Sequence, residues 1–250
     1  ETAYTPDEIR AFYEKAASLN IEIIPLVQCL GHMETPLKFP EYARLREVPE
    51  NADALNPLAE GAYDLVRGMV EDVLALLPNP RYFHLGGDEV WTFGAHPDTK
   101  AYIERHGKGA LYMRHVEPLL HNLIAKNIRP ILWHDMMIEW DSASLDRLRE
   151  KADLCVWSYS RENPENLPLT NHAHISHISR FHEHGITMRG AAAYKGGIAP
   201  DADISDSDAR RGNLSMWASL ARRFNLIGVI ATGWSRCNTM ELQITPIDSS

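Results

Sequence analysis

Tyr82-Phe83-His84-Leu85-Gly86-Gly87-Asp88-Glu89-Val90-Trp91 is a short β-prone run that ends in two glycines, followed by two adjacent carboxylates close to a tryptophan. Tyr82 to Leu85 are aromatic and apolar enough for a buried strand, and Gly86-Gly87 let the backbone leave that strand in a conformation that a Cβ resists. In a regular strand Asp88 and Glu89 would point to opposite faces, whereas a glycine-broken end can turn both into one cleft. Two carboxylates against an apolar wall do not titrate alike. The one nearer Trp91 is expected to be desolvated and to hold its proton, while its neighbour keeps its charge. An acid and an anion side by side suit glycoside hydrolysis. The dipeptide also has a plain structural use, with Asp88 capping a following helix and Glu89 serving as a first-turn acid.

On either side of this stretch, strand patterns alternate with helix patterns. Thr5-Pro6-Asp7-Glu8 supplies an N-cap, a proline at the first helical position and first-turn acids, and apolar residues at helical spacing predict a helix over 6–19. Residues 21–27 form an apolar, β-branched run that predicts a strand buried on both faces. Asn56-Pro57 opens a second predicted helix, ended by Pro78 and Pro80, and a third covers 108–126 with Pro118 inside it, where a kink is expected. Further strands are predicted over 128–133, 154–159, 186–194 and 226–231, with helices near 177–184 and 206–224. Six strands separated by helices, each entering a polar or aromatic loop at its C-terminal end, indicate parallel βα units. The favoured closure is α/β, a (β/α)8 TIM-type barrel with its site at that end of the strands. An open doubly wound sheet is the alternative, but no Gly-x-Gly-x-x-Gly or phosphate-binding loop supports it.

A chain of 250 residues is long enough for one such barrel. With 25 basic against 34 acidic residues the formal charge is −9, which disfavours nucleic acid and anionic membranes as partners and suits neutral ligands such as sugars. No apolar run approaches the roughly 20 residues of a membrane span, and no signal-peptide pattern opens the chain. Cys29, Cys155 and Cys237 are too far apart for a Cys-x-x-Cys motif and read as buried free thiols. An odd, unclustered count leans toward a reducing compartment, and the expected localisation is cytoplasmic.

The pattern His84-Leu85-Gly86-Gly87-Asp88-Glu89-Val90-Trp91 resembles the signature of the glycoside hydrolase family 20 β-N-acetylhexosaminidases. The likeness continues through Ile23-Ile24-Pro25-Leu26-Val27-Gln28 into Gly31-His32-Met33-Glu34, and through Leu45-Arg46-Glu47-Val48, Leu55-Asn56-Pro57, Leu132-Trp133-His134-Asp135-Met136-Met137 and Thr232-Gly233-Trp234-Ser235-Arg236. Together these are most similar to the hexosaminidase D branch. The resemblance implies that residues 1–250 are one catalytic domain in part. The first two strands of the barrel would precede Glu1, and the chain would break off where the last barrel helix forms.

It also implies a division of labour. In this family the substrate's own 2-acetamido oxygen attacks the anomeric carbon, so Glu89 would act as general acid and base with a raised pKa, and Asp88 would stay ionised to steady the acetamido group. His32 would match a histidine near the general acid, against the plain reading of a helix cap or surface histidine. Trp133, Trp157 and Trp234 each fall at the end of a predicted strand and would wall the sugar pocket. Asp135 could bind sugar hydroxyls, carry a supporting hydrogen bond, or simply cap a loop. A tyrosine hydroxyl should hold the acetamido carbonyl, for which Tyr194 is favoured and Tyr159 stays open. Arg236 stands where many members carry a glutamate, leaving the choice between N-acetylglucosamine and N-acetylgalactosamine open. The expected partner is a glycan with a terminal N-acetylhexosamine.

No cofactor is called for. The segment from His172 through His174, His177, His182 and His184 is histidine-rich but has no cysteine nearby, and it reads as a solvated helix and loop rather than a metal site. Two other functions compete with the hydrolase: a non-catalytic sugar-binding fragment or pseudoenzyme on the same barrel, and a metal-dependent barrel enzyme using His84, Asp88 and the histidines.

Overall fold

The computed structural model describes residues 4–77, 79–160, 174–195 and 206–234, and the chain divides into two units, Glu1–Asp153 and Leu154–Ser250. In the first, α1 (Pro6–Ser18) begins at a reciprocal cap: Thr5 Oγ1 accepts from the Glu8 backbone N–H at 3.3 Å, and the Glu8 carboxylate accepts from the Thr5 N–H at 2.8 Å. After α1 the chain runs beside β3 (Tyr82–His84) in parallel. The Val27 N–H donates to the His84 carbonyl at 3.0 Å and the His84 N–H to that of Pro25 at 2.8 Å. This contact is a single bridge rather than the buried strand expected over 21–27, since Pro25 has no N–H to give and Ile21, Ile24 and Leu26 remain exposed.

β3 pairs in parallel with β4 (Arg129–Trp133), Phe83 lying opposite Pro130 and His84 opposite Ile131. Between residues 27 and 82 lie the one-turn α2 (Glu34–Leu37) and the longer α3 (Ala62–Leu76), which starts at Gly61 with φ +90° rather than at Asn56. The Asn56 side chain instead accepts from the Leu58 N–H at 2.8 Å and folds the chain into a turn that postpones the helix. Between β3 and β4 lie α4 (Pro97–His106) and α5 (Lys108–Ile124), and α5 continues past Pro118 with Leu111, Tyr112, Val116, Leu119, Leu120 and Leu123 buried. α6 (Ser142–Arg149), capped by Asp141, follows β4.

An antiparallel hairpin, β1 (Arg46–Val48) and β2 (Asn51–Leu55), fastens the loops that carry the chemistry. From β2, the Leu55 N–H donates to the Leu30 carbonyl and the Asp53 carbonyl accepts from Met33, both at 2.9 Å, so the hairpin brackets His32. From β1, the buried Glu47 Oε1 accepts from the N–H groups of Gly94 and His96 at 3.0 Å each and from the Thr99 hydroxyl at 2.5 Å. The loop after Glu89 is thereby held to the same hairpin.

In the second unit, which takes in all of β5 (Asp153–Trp157) but its first residue, β5, β6 (Met188–Lys195) and β7 (Val229–Gly233) run parallel, with α7 (Ile178–Glu183) before β6 and α8 (Ser207–Arg223) before β7. Trp217 of α8 packs on β6 at Gly190, where a Cβ would stand 2.4 Å from its ring. Asn213, also on α8, joins strand ends: its Nδ2 donates to the carbonyls of Ser158 at 2.9 Å and Ser160 at 2.7 Å, and its Oδ1 accepts from the Ala193 N–H. Strand, helix and parallel strand thus recur in both units, with loops of functional interest after the strands. Among the described residues no helix is long and apolar enough to cross a membrane.

Candidate active site

β3 stops at His84, whose Nδ1 accepts the Gly86 N–H at 2.9 Å and whose ring packs on Trp133, centroids 4.5 Å apart. Gly86 (φ +61°) and Gly87 (φ +80°) then turn the backbone through the left-handed region. Space demands glycine as much as torsion does. A Cβ on Gly86 would lie 1.8 Å from Gln28 Oε1, and one on Gly87 would lie 2.1 Å from the Tyr112 hydroxyl, which donates to the Gly87 carbonyl at 3.0 Å. Gly31 is equally cramped, since a Cβ there would stand 2.1 Å from the Asp88 carbonyl oxygen.

The turn aims both carboxylates at one imidazole. His32 Nε2 is 3.6 Å from Asp88 Oδ2 and 3.4 Å from Glu89 Oε2. Asp88 is the deeper of the two, its side chain 12% exposed against 34% for Glu89. Both His32 (φ +52°) and Glu89 (φ +48°) adopt left-handed backbone, which side chains with a Cβ rarely take. The surroundings hold Glu89 there: its N–H donates to Asp135 Oδ2 at 2.8 Å, and its carbonyl accepts from the Trp91 N–H at 2.8 Å. Asp88 Oδ1 accepts from Gln28 Nε2 at 3.1 Å, while Gln28 Oε1 accepts the Gly87 N–H at 3.0 Å.

Charge follows from this geometry. The Asp88 carboxylate first, and Glu89 second, push the His32 pKa up to about 10 against the opposing effect of partial burial, so at neutral pH the imidazole is a cation between two acids. Beneath the site the chemistry is neutral. Burial, with Asp88 adding to it, pushes the Cys29 thiol far up, and burial pulls the His115 pKa down. His115 Nε2 lies 2.8 Å from the Cys29 carbonyl, which only accepts, so that nitrogen carries the proton.

His32, Asp88, Glu89 and Asp135 therefore meet in the first unit. Trp133, at the end of β4, is buried against His84. Trp91 does not form the apolar wall expected beside the carboxylates: it is 79% exposed, because Glu89 turns through left-handed backbone and Trp91 leaves the turn toward solvent. Trp157, Tyr159, Tyr194 and Trp234 belong to the second unit. There Trp157 and Tyr159 stack at 5.4 Å, Trp234 Nε1 donates to the Tyr159 hydroxyl at 2.8 Å, and Tyr194 lies against Gly233.

Arg236, Cys237 and His172 fall outside the described residues. Among the described residues the group with ligand atoms close enough for a metal ion is His32, Asp88 and Glu89, all within 4.8 Å of one another, and it contains none of His177, His182 and His184. A cation there would compete with the proton on His32. His84, the other histidine considered for metal, spends Nδ1 on the Gly86 N–H.

Sequence reading missed the parts played by Gln28 and Tyr112. Neither stands near Asp88 in the chain, and an amide or a phenol inside an apolar run carries no local sign of its distant partner.

Comparison with known proteins agrees with this architecture. A family model described as the catalytic domain of glycosyl hydrolase family 20 matches residues 1–242. Hexosaminidase D of Bos taurus is 30% identical over 244 residues, covering 94% of this chain and 69% of that protein. Hexosaminidase D of Homo sapiens is 29% identical over 244 residues, 94% of this chain and 49% of that protein. The chain thus spans between about half and two thirds of the length of these relatives. Among solved structures, a chitobiase of Flavobacterium johnsoniae superimposes with a TM-score of 0.64 at 18% identity, over 93% of this chain and 35% of the other, which speaks for the fold alone. The fold class is α/β, of the TIM-barrel type.

Proposed function

The chain belongs to glycosyl hydrolase family 20, and from that premise we propose that it is an exo-acting β-N-acetylhexosaminidase, releasing terminal β-linked N-acetylglucosamine or N-acetylgalactosamine with retention of configuration. The observation that carries this reading is the presentation of Asp88 and Glu89 to the same His32 nitrogen, one carboxylate deep and one near solvent.

The chemistry proceeds in two displacements. The acetamido carbonyl oxygen of the substrate attacks the anomeric carbon as the glycosidic C–O bond breaks, and Glu89, at the outer position, gives its proton to the departing oxygen. Asp88, below it, accepts the acetamido N–H, which turns the carbonyl toward the anomeric carbon and offsets the positive charge of the oxazolinium ring. Water then adds to the anomeric carbon, Glu89 takes its proton, and the bond to the acetamido oxygen breaks. His32 Nε2, 3.4 Å from Glu89 Oε2, orients the acid without itself touching the reacting bond. Asp135 fixes the Glu89 backbone and so the direction in which the acid points. Trp133 packs behind His84 at the start of the turn.

The test is hydrolysis of an aryl β-N-acetylhexosaminide. The chain should release the phenol, and Glu89→Gln and Asp88→Asn should each lower kcat by at least about a hundredfold. Full turnover in either variant would reject the reading, and sugar binding without any turnover in the unaltered chain would favour the non-catalytic alternative.

A further inference from the structure

Gln28 lies sixty residues before Asp88, yet its side-chain amide touches both the carboxylate and the peptide that precedes it. Oε1 accepts the Gly87 N–H at 3.0 Å and Nε2 donates to Asp88 Oδ1 at 3.1 Å. The orientation of the amide follows from its partners: turned over, it would set its NH2 against an N–H and its oxygen against a carboxylate, losing both bonds. The site thus demands one acceptor and one donor on a single planar group. Glutamine supplies them, a glutamate would serve Gly87 but repel Asp88, and an apolar residue of equal length would serve neither. Gly86 admits the amide, because any Cβ there would overlap Oε1 at 1.8 Å. Tyr112 holds the other side of the same turn through the Gly87 carbonyl at 3.0 Å.

We infer that Gln28 is a positioning residue for Asp88: it pins Oδ1 and the Gly87 peptide, so that the carboxylate plane is set and Oδ2 turns toward His32 and the acetamido group. The inference rests on the role assigned to Asp88 under Proposed function. A neutral amide suits the task, since it steadies an anion through a hydrogen bond and leaves the local charge to His32, Asp88 and Glu89. The bond it makes is spent on geometry, so its loss should fall on kcat more than on KM.

The experiment compares the full chain with Gln28→Met, Gln28→Glu and Asp88→Asn on an aryl β-N-acetylhexosaminide across pH 4–8, together with hydrogen exchange at the Gly87 amide. Gln28→Met should lower kcat by roughly 10- to 100-fold with KM within about threefold, and the Gly87 amide should exchange faster. Gln28→Glu should keep Gly87 protected but place a second carboxylate against Asp88. The two then stay together only by sharing a proton, so activity should be lost near neutrality and partly regained toward acid, moving the optimum down by about one pH unit. Wild-type kcat and pH profile in both Gln28 variants, with Asp88→Asn inactive, would overturn the inference while leaving the assigned function standing. Full activity of Asp88→Asn would instead remove the role of Asp88 and the inference with it. Should Gln28→Glu fail to fold, the kcat against KM comparison and Gly87 exchange in Gln28→Met decide the matter.

Discussion

His32 Nε2 lies 3.4 Å from Glu89 Oε2, and both residues sit in left-handed backbone although neither is glycine. The two loops are each forced into an unfavourable conformation at the point where their side chains meet. Such strain persists only where the surroundings over-determine it, here through the hairpin bonds around residues 30–33 and the Asp135 bond to Glu89.

The His32 pairing makes stability depend on pH in a defined direction. Its folded pKa is raised from the ordinary 6.5 to about 10, so the pairing contributes fully below about pH 6.5, as long as the carboxylates stay ionised, and is lost as pH rises through 10. The Tm deficit of His32→Gln relative to the unaltered chain should therefore be largest near pH 6 and shrink steadily toward pH 10. A deficit constant across that range would show that the imidazole is not charged in the folded state.

Asp135 is expected to act through the backbone of Glu89. In Asp135→Ala the Glu89 N–H loses its acceptor and the left-handed turn its brace, so kcat should drop by about 10- to 100-fold. Asp135→Asn keeps an oxygen able to accept the same N–H and should retain most of the rate. If Asp135 instead contacted the sugar alone, both substitutions would raise KM and spare kcat.

Glu47 ties three donors from the loop beyond Glu89 to the hairpin while fully buried. Removing it in Glu47→Ala leaves the Gly94 and His96 N–H groups inside the protein without an acceptor, a cost of about 1–3 kcal/mol for each one that stays dry, whereas the Thr99 hydroxyl still has the His96 carbonyl at 2.9 Å to donate to. Denaturant unfolding should register a loss of at least about 2 kcal/mol, with Glu47→Gln intermediate because one oxygen remains to accept. A change under about 1 kcal/mol would mean that water replaces the carboxylate freely.

Local pattern and tertiary structure contributed differently here. The cap at Thr5, the alternation of strand and helix, and the glycines that end β3 were legible because each depends on neighbours within a few residues: a side chain reaching its own helix, a periodicity, a torsion only glycine takes cheaply. The family resemblance was legible for the same reason, as a run of adjacent letters. Residues 21–27 looked like a two-sided strand because apolar content says nothing of how many strands flank it. Trp91 looked like a wall because its closeness along the chain does not reveal which way a left-handed turn throws it. The bonds from Gln28 to Asp88, from Asp135 to Glu89, and from Glu47 to the loop at Gly94 to Thr99 span 46 to 60 residues. By itself, then, the sequence determined that two carboxylates would follow a broken strand in a βα framework. Tertiary structure alone decided which side chains hold them at one imidazole, because hydrogen-bond partners so far apart in the chain are chosen by how the elements pack and not by the residues beside them.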